Sequence, residues 1–219
     1  MEKREGILKV PACIKCNGEK SGYEQYLQTV LPLAGVDEVS RERVATQFQT
    51  RLDGNKRLKR ELMESLEHTL VPTKYGVRQA MRVKYEPEIL LNFSKMLARA
   101  LHFHFVGTIV SADQDVQSTH MSTTEANSIF AALPDDENHR VNFSFSESVF
   151  ECRAGWQSDK RVSFWEFKFY GGLDLRSGAK PSESLDTCGA LVADAGYFAK
   201  LDAMRSALRV KKMADMEGV

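Results

Sequence analysis

The residues whose types and spacing are best suited to chemistry are Cys13 and Cys16. Two thiolates with two residues between them can be presented by a tight turn to one zinc ion. Structural zinc takes four ligands, so this pair is half a shell. Cys152 and Cys188 are single and distant, and His68, His102, His104, His120 and His139 show no ligand spacing to the pair. Local chemistry leaves two readings open: a zinc half-site, or a pair that holds no metal and has no redox use. A thioredoxin-like use fits less well, because the pair does not close a strand inside a βαβ pattern.

Lys56, Arg57, Lys59 and Arg60 form a compact basic cluster at the start of a helical stretch, with positions 56, 59 and 60 on one face. Such a patch suits sequence-independent contacts to phosphates, or is simply a solvated helix face diluted by Asp53, Glu61, Glu64 and Glu67. His102 and His104 flank Phe103, and the bland reading of two histidines packing near a helix end outweighs a metal pair. The aromatics between Phe143 and Tyr170 are read as core in preference to a base-stacking platform. Asp135, Asp136 and Glu137 read as a solvated loop tip, and the glycines near 171 and 178 fit no phosphate loop.

Those residues need a scaffold. The 42% hydrophobic content of this 219-residue chain is enough for a buried core, so wholesale disorder is excluded. Lys plus Arg and Asp plus Glu are 30 each, which excludes a polycation but not a local basic face. Four cysteines are too few for a disulfide scaffold. No apolar run reaches membrane-spanning length and the first residues lack a signal-peptide pattern, so the expectation is a cytoplasmic, reduced protein with no membrane partner.

Apolar periodicity predicts a helix with Ser21 as its N-cap and Glu24 at capping-box spacing, ended or kinked by Pro32 and Gly35. Further helices are predicted over 39–51 and 56–70, the second closed by Pro72. A short strand is expected over 76–85, then a helix with Pro87 in its first turn, running into an alternating stretch at 101–105. A helix over 124–133 follows in a polar region. The period then changes to two, and 141–150 with 162–170 predicts an antiparallel hairpin. Residues 171–189 read as loop, and 198–213 as an amphipathic helical tail.

The run Val10-Pro-Ala-Cys-Ile-Lys-Cys-Asn-Gly18, followed by Ser21, Glu24, Tyr26, Leu27, Val30 and Leu31, resembles the second zinc knuckle of HNH endonuclease-like proteins. The likeness continues through Arg99-Ala-Leu-His-Phe-His-Phe105 and a strand ending Phe167-Lys-Phe-Tyr-Gly171, and so covers most of residues 9–175. It implies an α+β fold: an incomplete treble-clef-like zinc knuckle, then a helical region and a late antiparallel hairpin. Residues 1–34 would be the partial HNH segment, 35–175 an accessory region, and 176–219 a loop and tail.

The resemblance implies structural zinc on Cys13 and Cys16, and Asn17 as the one active-site residue that has a counterpart here. It also implies Mg²⁺ or another divalent cation at the scissile phosphate and a His general base, the division of labour expected for metal-assisted phosphodiester hydrolysis. Only twelve residues precede Cys13, no His precedes His68, and Gly6 stands where an orienting Asn is expected. The expectation is therefore an HNH-like protein that is inactive as written, either because its start lies upstream or because it is a non-catalytic relative. The alternative is a non-catalytic nucleic-acid or protein binding module using Lys56, Arg57, Lys59 and Arg60.

Overall fold

The computed structural model describes residues 10, 12–35, 37–73, 76–83, 85–145, 149–173 and 186–198. The fold is α+β. In chain order it has α1 (Ile14–Ala34), α2 (Glu38–Arg43), α3 (Gln49–Gly54) and α4 (Lys56–Glu64), then the strands β1 (Leu66–Thr73) and β2 (Gly76–Val83). Helix α5 (Pro87–Leu101) leads to β3 (Gln114–Met121), α6 (Thr123–Ala131), β4 (Arg140–Phe145), β5 (Phe150–Trp156), β6 (Ser163–Phe169) and β7 (Thr187–Asp194). Single π-helical turns, Val44–Phe48 and His102–Val106, join α2 to α3 and extend α5.

Strands β3 to β7 form one antiparallel sheet in the order β3-β7-β6-β5-β4. The period of two along β6 sorts its side chains to opposite faces. Trp165, Phe167 and Phe169 join the main core with Leu90, Phe93 and Leu101 of α5 and Leu27 and Leu31 of α1. Phe164 turns the other way, into a smaller cluster with Ala126 and Phe130 of α6. Both faces of β6 are thus covered, which is why its run of aromatics reads as nearly continuous. On the α6 side Arg153 pairs with the buried carboxylate of Glu166 and lies 4.5 Å over the Phe130 ring. Each fully buried Leu or Phe in such a core contributes about 1.5–3 kcal/mol.

The middle of the chain departs from its periodicity. The predicted 56–70 helix stops at Glu64, and Leu66 onward pairs with β2, Thr69 facing Ala80 and Thr73 facing Gly76. The apolar spacing at 62, 66 and 70 suits a helix, but Thr69, Val71 and Pro72 favour extended chain, and cross-strand pairing decides. Pro72 therefore lies within a strand. The predicted hairpin is also rearranged: 141–150 splits into β4 and the start of β5, and β5 lies between β4 and β6. Strand β3 arises in the stretch read as polar, and β7 begins in the last three residues of the stretch read as loop. Only the first residue of the predicted 198–213 helix is described, as part of a helical turn at 195–198. No helix among the described residues is long and apolar enough to cross a membrane.

One face of the sheet carries α5, which packs chiefly on β3 and β7 and against α1. The β4 end of that face is left partly open, as a cleft of about 630 Å³ between α1, α5 and β4 to β6.

His102, in the π-helical turn after α5, is fully buried and bonded at both ring nitrogens. Its Nδ1 lies 2.9 Å from Ser163 Oγ and its Nε2 2.9 Å from Thr108 Oγ1. Burial disfavours its imidazolium form and lowers its pKa, and burial does the same at His120. In the unfolded chain both titrate near the ordinary value of about 6.5. Below that pH the unfolded state binds more protons, so stability is full above it and is lost as pH falls toward the lower folded-state values. Urea unfolding at pH 8 and pH 5 is expected to give a marked loss of midpoint for the native chain. His102→Gln, weaker at pH 8, is expected to lose less between the two; an equal loss contradicts the assignment to His102.

Candidate functional site

The Cys-x-x-Cys segment, read as a tight knuckle, is the N-cap and first turn of α1. Cys13 is the N-cap residue with extended backbone, and its Sγ accepts from the Cys16 N–H at 3.2 Å. Asn17 N–H donates to Cys13 C=O at 2.9 Å, the first α-helical bond. Ser21, predicted as the cap, sits two turns inside, its hydroxyl donating to Asn17 C=O at 3.0 Å. The helix starts early because the Cys13 sulfur satisfies an amide that would otherwise lack a partner. It ends where predicted, with Gly35 as C-cap. A Cβ there would lie 2.5 Å from Ser40 Cβ and 2.7 Å from Tyr170 Cβ, so only glycine allows the approach of helix to sheet.

The two sulfurs lie 3.1 Å apart, and both cysteines and Asn17 are exposed. The Cys16 N–H holds the Cys13 thiol below its usual range, followed by the hydrogen bond from the Cys16 thiol. The Cys16 thiol is raised, first by that same hydrogen bond and then by the Cys13 charge. A pair on tetrahedral zinc, at about 2.3 Å per Zn–S bond, is separated by about 3.8 Å. Small rotations of two exposed side chains reach that separation, so the donors fit half a zinc shell. Among the described residues no group of three or more His, Cys, Asp or Glu is arranged to hold a metal. The remaining ligands are not supplied by those residues.

The basic cluster occupies α4, whose Asn55 N-cap accepts from Leu58 N–H at 3.0 Å. Leu58 and Leu62 pack with Val30 and Leu52, so the opposite side of α4 faces solvent. Arg57 pairs with Glu61 at 2.7 Å and Lys59 with Asp53 at 2.7 Å. Lys56 and Arg60 are exposed and form no ion pair among the described residues. Val30 is seventeen residues from Cys13, so α4 docks about 25 Å along α1 from the thiols. The cysteines with Asn17 form one group and the basic cluster another.

His102 and His104 do not form a pair, because a π-helical turn replaces the expected alternation; His102 is buried and His104 exposed. The aromatics read as core are so at Phe164, Trp165 and Phe167, while Phe145 on the edge strand is 42% exposed.

A Cys–His contact the sequence did not reveal lies between β3 and β7. His120 and Cys188 are register partners, with Cys188 Sγ 3.4 Å from His120 Nδ1. Tyr85 stands edge-on to His120, ring centroids 6.0 Å apart. Tyr85 Oη and His120 Nε2 lack hydrogen-bond partners among the described residues. Burial pushes the Cys188 thiol up to about 12 and lowers the His120 imidazole. Both members are therefore neutral near pH 7, the opposite of the thiolate–imidazolium state that nucleophilic cysteine needs. Residues 68 apart in sequence carry no local signal of this contact.

No family model, no curated protein and no solved structure matches the chain.

The thiol geometry fixes an order of reactivity. Iodoacetamide followed by peptide mass spectrometry is expected to label Cys13 first near pH 7.5 and Cys16 later. Cys152 and Cys188, both buried with raised pKa, react only on unfolding. Equal rates at Cys13 and Cys16 would show that the helix-start geometry does not set the thiolate.

Proposed function

We propose that this chain is an HNH endonuclease-like protein whose Cys13 and Cys16 are half of a structural zinc site and whose α4 face contacts the phosphates of a nucleic acid. The observation that carries the reading is the pair of exposed, adjacent thiols in the first turn of a 21-residue helix. Zinc ligands must be deprotonated, and the helix N-terminus favours negative charge. Zinc bound there supplies rigidity, fixing the end of α1. Asn17, one turn along the same exposed surface, is the residue proposed to face the reacting phosphodiester. Mg²⁺ or another divalent cation is the proposed partner for the scissile phosphate, where such an ion supplies charge neutralisation.

The 25 Å separation of thiols and basic helix suits a duplex. It spans about seven nucleotides at 3.4 Å per step along one strand. Lys56 and Arg60, without ion pairs among the described residues, release bound counterions on contact with phosphates and give affinity without sequence preference. The proposed role of this chain taken alone is anchoring and binding, with no hydrolysis. The second reading, a non-catalytic binding module, shares the α4 contacts and needs no metal.

Two measurements test this. Titration with Co²⁺, a spectroscopic stand-in for zinc, is expected to give thiolate charge-transfer absorbance that is absent in Cys13→Ser and Cys16→Ser. Fluorescence anisotropy with a labelled duplex is expected to show salt-dependent binding. The double variant Lys56→Glu, Arg60→Glu is expected to lower the slope of log K against log salt by about 2. Binding without cobalt uptake favours the metal-free module. Mg²⁺-dependent cleavage by this chain that survives Asn17→Ala overturns the site assignment.

A further inference from the structure

The cleft beside α1 is independent of the thiol pair and of the basic helix. Its volume, about 630 Å³, lies inside the range of about 300–1,000 Å³ typical of small-molecule sites. Its β wall is aromatic: Phe143 and Phe145 are two apart on β4 and share a face, and Phe150 stands beside both, with ring centroids 6.2 Å and 6.3 Å away. Leu97 and Leu101 of α5 line the helical side. The opening arises from topology, because β4 is the last strand of the sheet and α5 packs chiefly on the far strands.

The α1 wall adds polarity in one line. Lys20, Glu24 and Gln28 all line the cleft, at spacings of four, and so form a single rail along the helix. Lys20 Nζ and Glu24 Oε1 are 2.5 Å apart, so the rail presents a donor, an acceptor and an amide with no net charge. Tyr170, which also lines the cleft, has a left-handed backbone with φ of 50°, a conformation that costs energy for a non-glycine residue and is held by its surroundings.

From this arrangement we infer that the cleft binds one neutral amphiphile, an elongated apolar molecule with an uncharged head group that both donates and accepts hydrogen bonds. The apolar body fills the space between the phenylalanines and α5. The head lies on the rail, where a hydroxyl can accept from Lys20 and donate to Glu24. A carboxylate head matches less well, because it meets Glu24 as well as Lys20 and enters an apolar space at a desolvation cost.

The test uses the full chain and the neutral dye Nile red, with 1-dodecanol and dodecanoate as competitors. One saturable, blue-shifted site per chain is expected, with dodecanol displacing the dye about tenfold more effectively than dodecanoate. Gln28→Trp, on the exposed rim, and Leu97→Trp, inside, are each expected to weaken dye binding about tenfold or more. Gln28→Trp is expected to keep the native melting temperature, so it decides the matter even where Leu97→Trp folds poorly. Unchanged affinity in Gln28→Trp overturns the proposal, as does equal competition by dodecanoate. Dye binding that falls as protein concentration rises, with a dimer seen in sedimentation, assigns the cleft to a second copy and also overturns it.

Discussion

A buried hydrogen-bonded chain holds the principal helix against the sheet. Trp165 Nε1–H donates to Ser163 Oγ at 2.9 Å, Ser163 Oγ meets His102 Nδ1, and His102 Nε2 meets Thr108 Oγ1. Ser163 and Trp165 belong to β6, and His102 directly follows α5. In a low-dielectric interior such a chain contributes only when all its members are paired; deleting one leaves a buried polar atom at a cost of about 1–3 kcal/mol. The network therefore fixes the C-terminal end of α5 relative to the sheet. Leu27 and Leu31 of α1 share the core built on α5, so α1 inherits its position from that lock.

The thiol pair lies outside this rigid core, and there small forces decide between chemical states. A sulfur separation of 3.1 Å lies between about 2.05 Å for a disulfide and about 3.8 Å for two ligands of one zinc ion. Exposure removes the steric cost of moving either way. The helix start favours a thiolate at Cys13, which serves both zinc binding and attack on a disulfide. What separates the outcomes is the supply of two further ligands against the supply of an oxidant.

Some of this was legible in the sequence and some was not, for identifiable reasons. The α5 stripe and its Pro87 start, the Pro32–Gly35 ending of α1, and the alternation along β6 were readable because local chemistry and burial agree there. The end of α4 was not, because leucines at 62, 66 and 70 satisfy a helical period while the chain pairs as a strand. Strands β3 and β7 were hidden for different reasons. The exposed side of β3 carries Asp115, Gln117 and Thr119, so it reads as polar, and β7 contains Gly189 and three alanines or valines with little pattern. Consequently the His120–Cys188 contact and the sheet order were invisible. At the thiols, the residues were evident and their setting was not: Cys13 as an N-cap is an unusual choice beside Ser, Thr, Asp or Asn, so Ser21 drew the helix start to itself.

Helix α1 brings the two surfaces into one geometry. Steps of four, three, four and four residues connect Cys13, Asn17, Lys20, Glu24 and Gln28, and such steps keep side chains on one stripe of a helix. The thiols and Asn17 occupy its exposed start, and the three polar residues lining the cleft occupy its middle. Leu27 and Leu31, seven residues beyond Lys20 and Glu24, line the same cleft and belong to the main core, while Val30 turns away into the cluster with Leu58 and Leu62. Cys16 and Lys20 are four residues apart, about 6 Å along the axis. A metal bound as proposed at Cys13 and Cys16 would therefore sit about one turn from the start of the polar rail. A rigid helix cannot reposition one end without the other, so a metal proposed at the thiols and a ligand proposed on the rail would both restrain α1. Two ligands that restrain one motion each reduce the entropy the other must remove, which makes their binding mutually favourable without any contact between them.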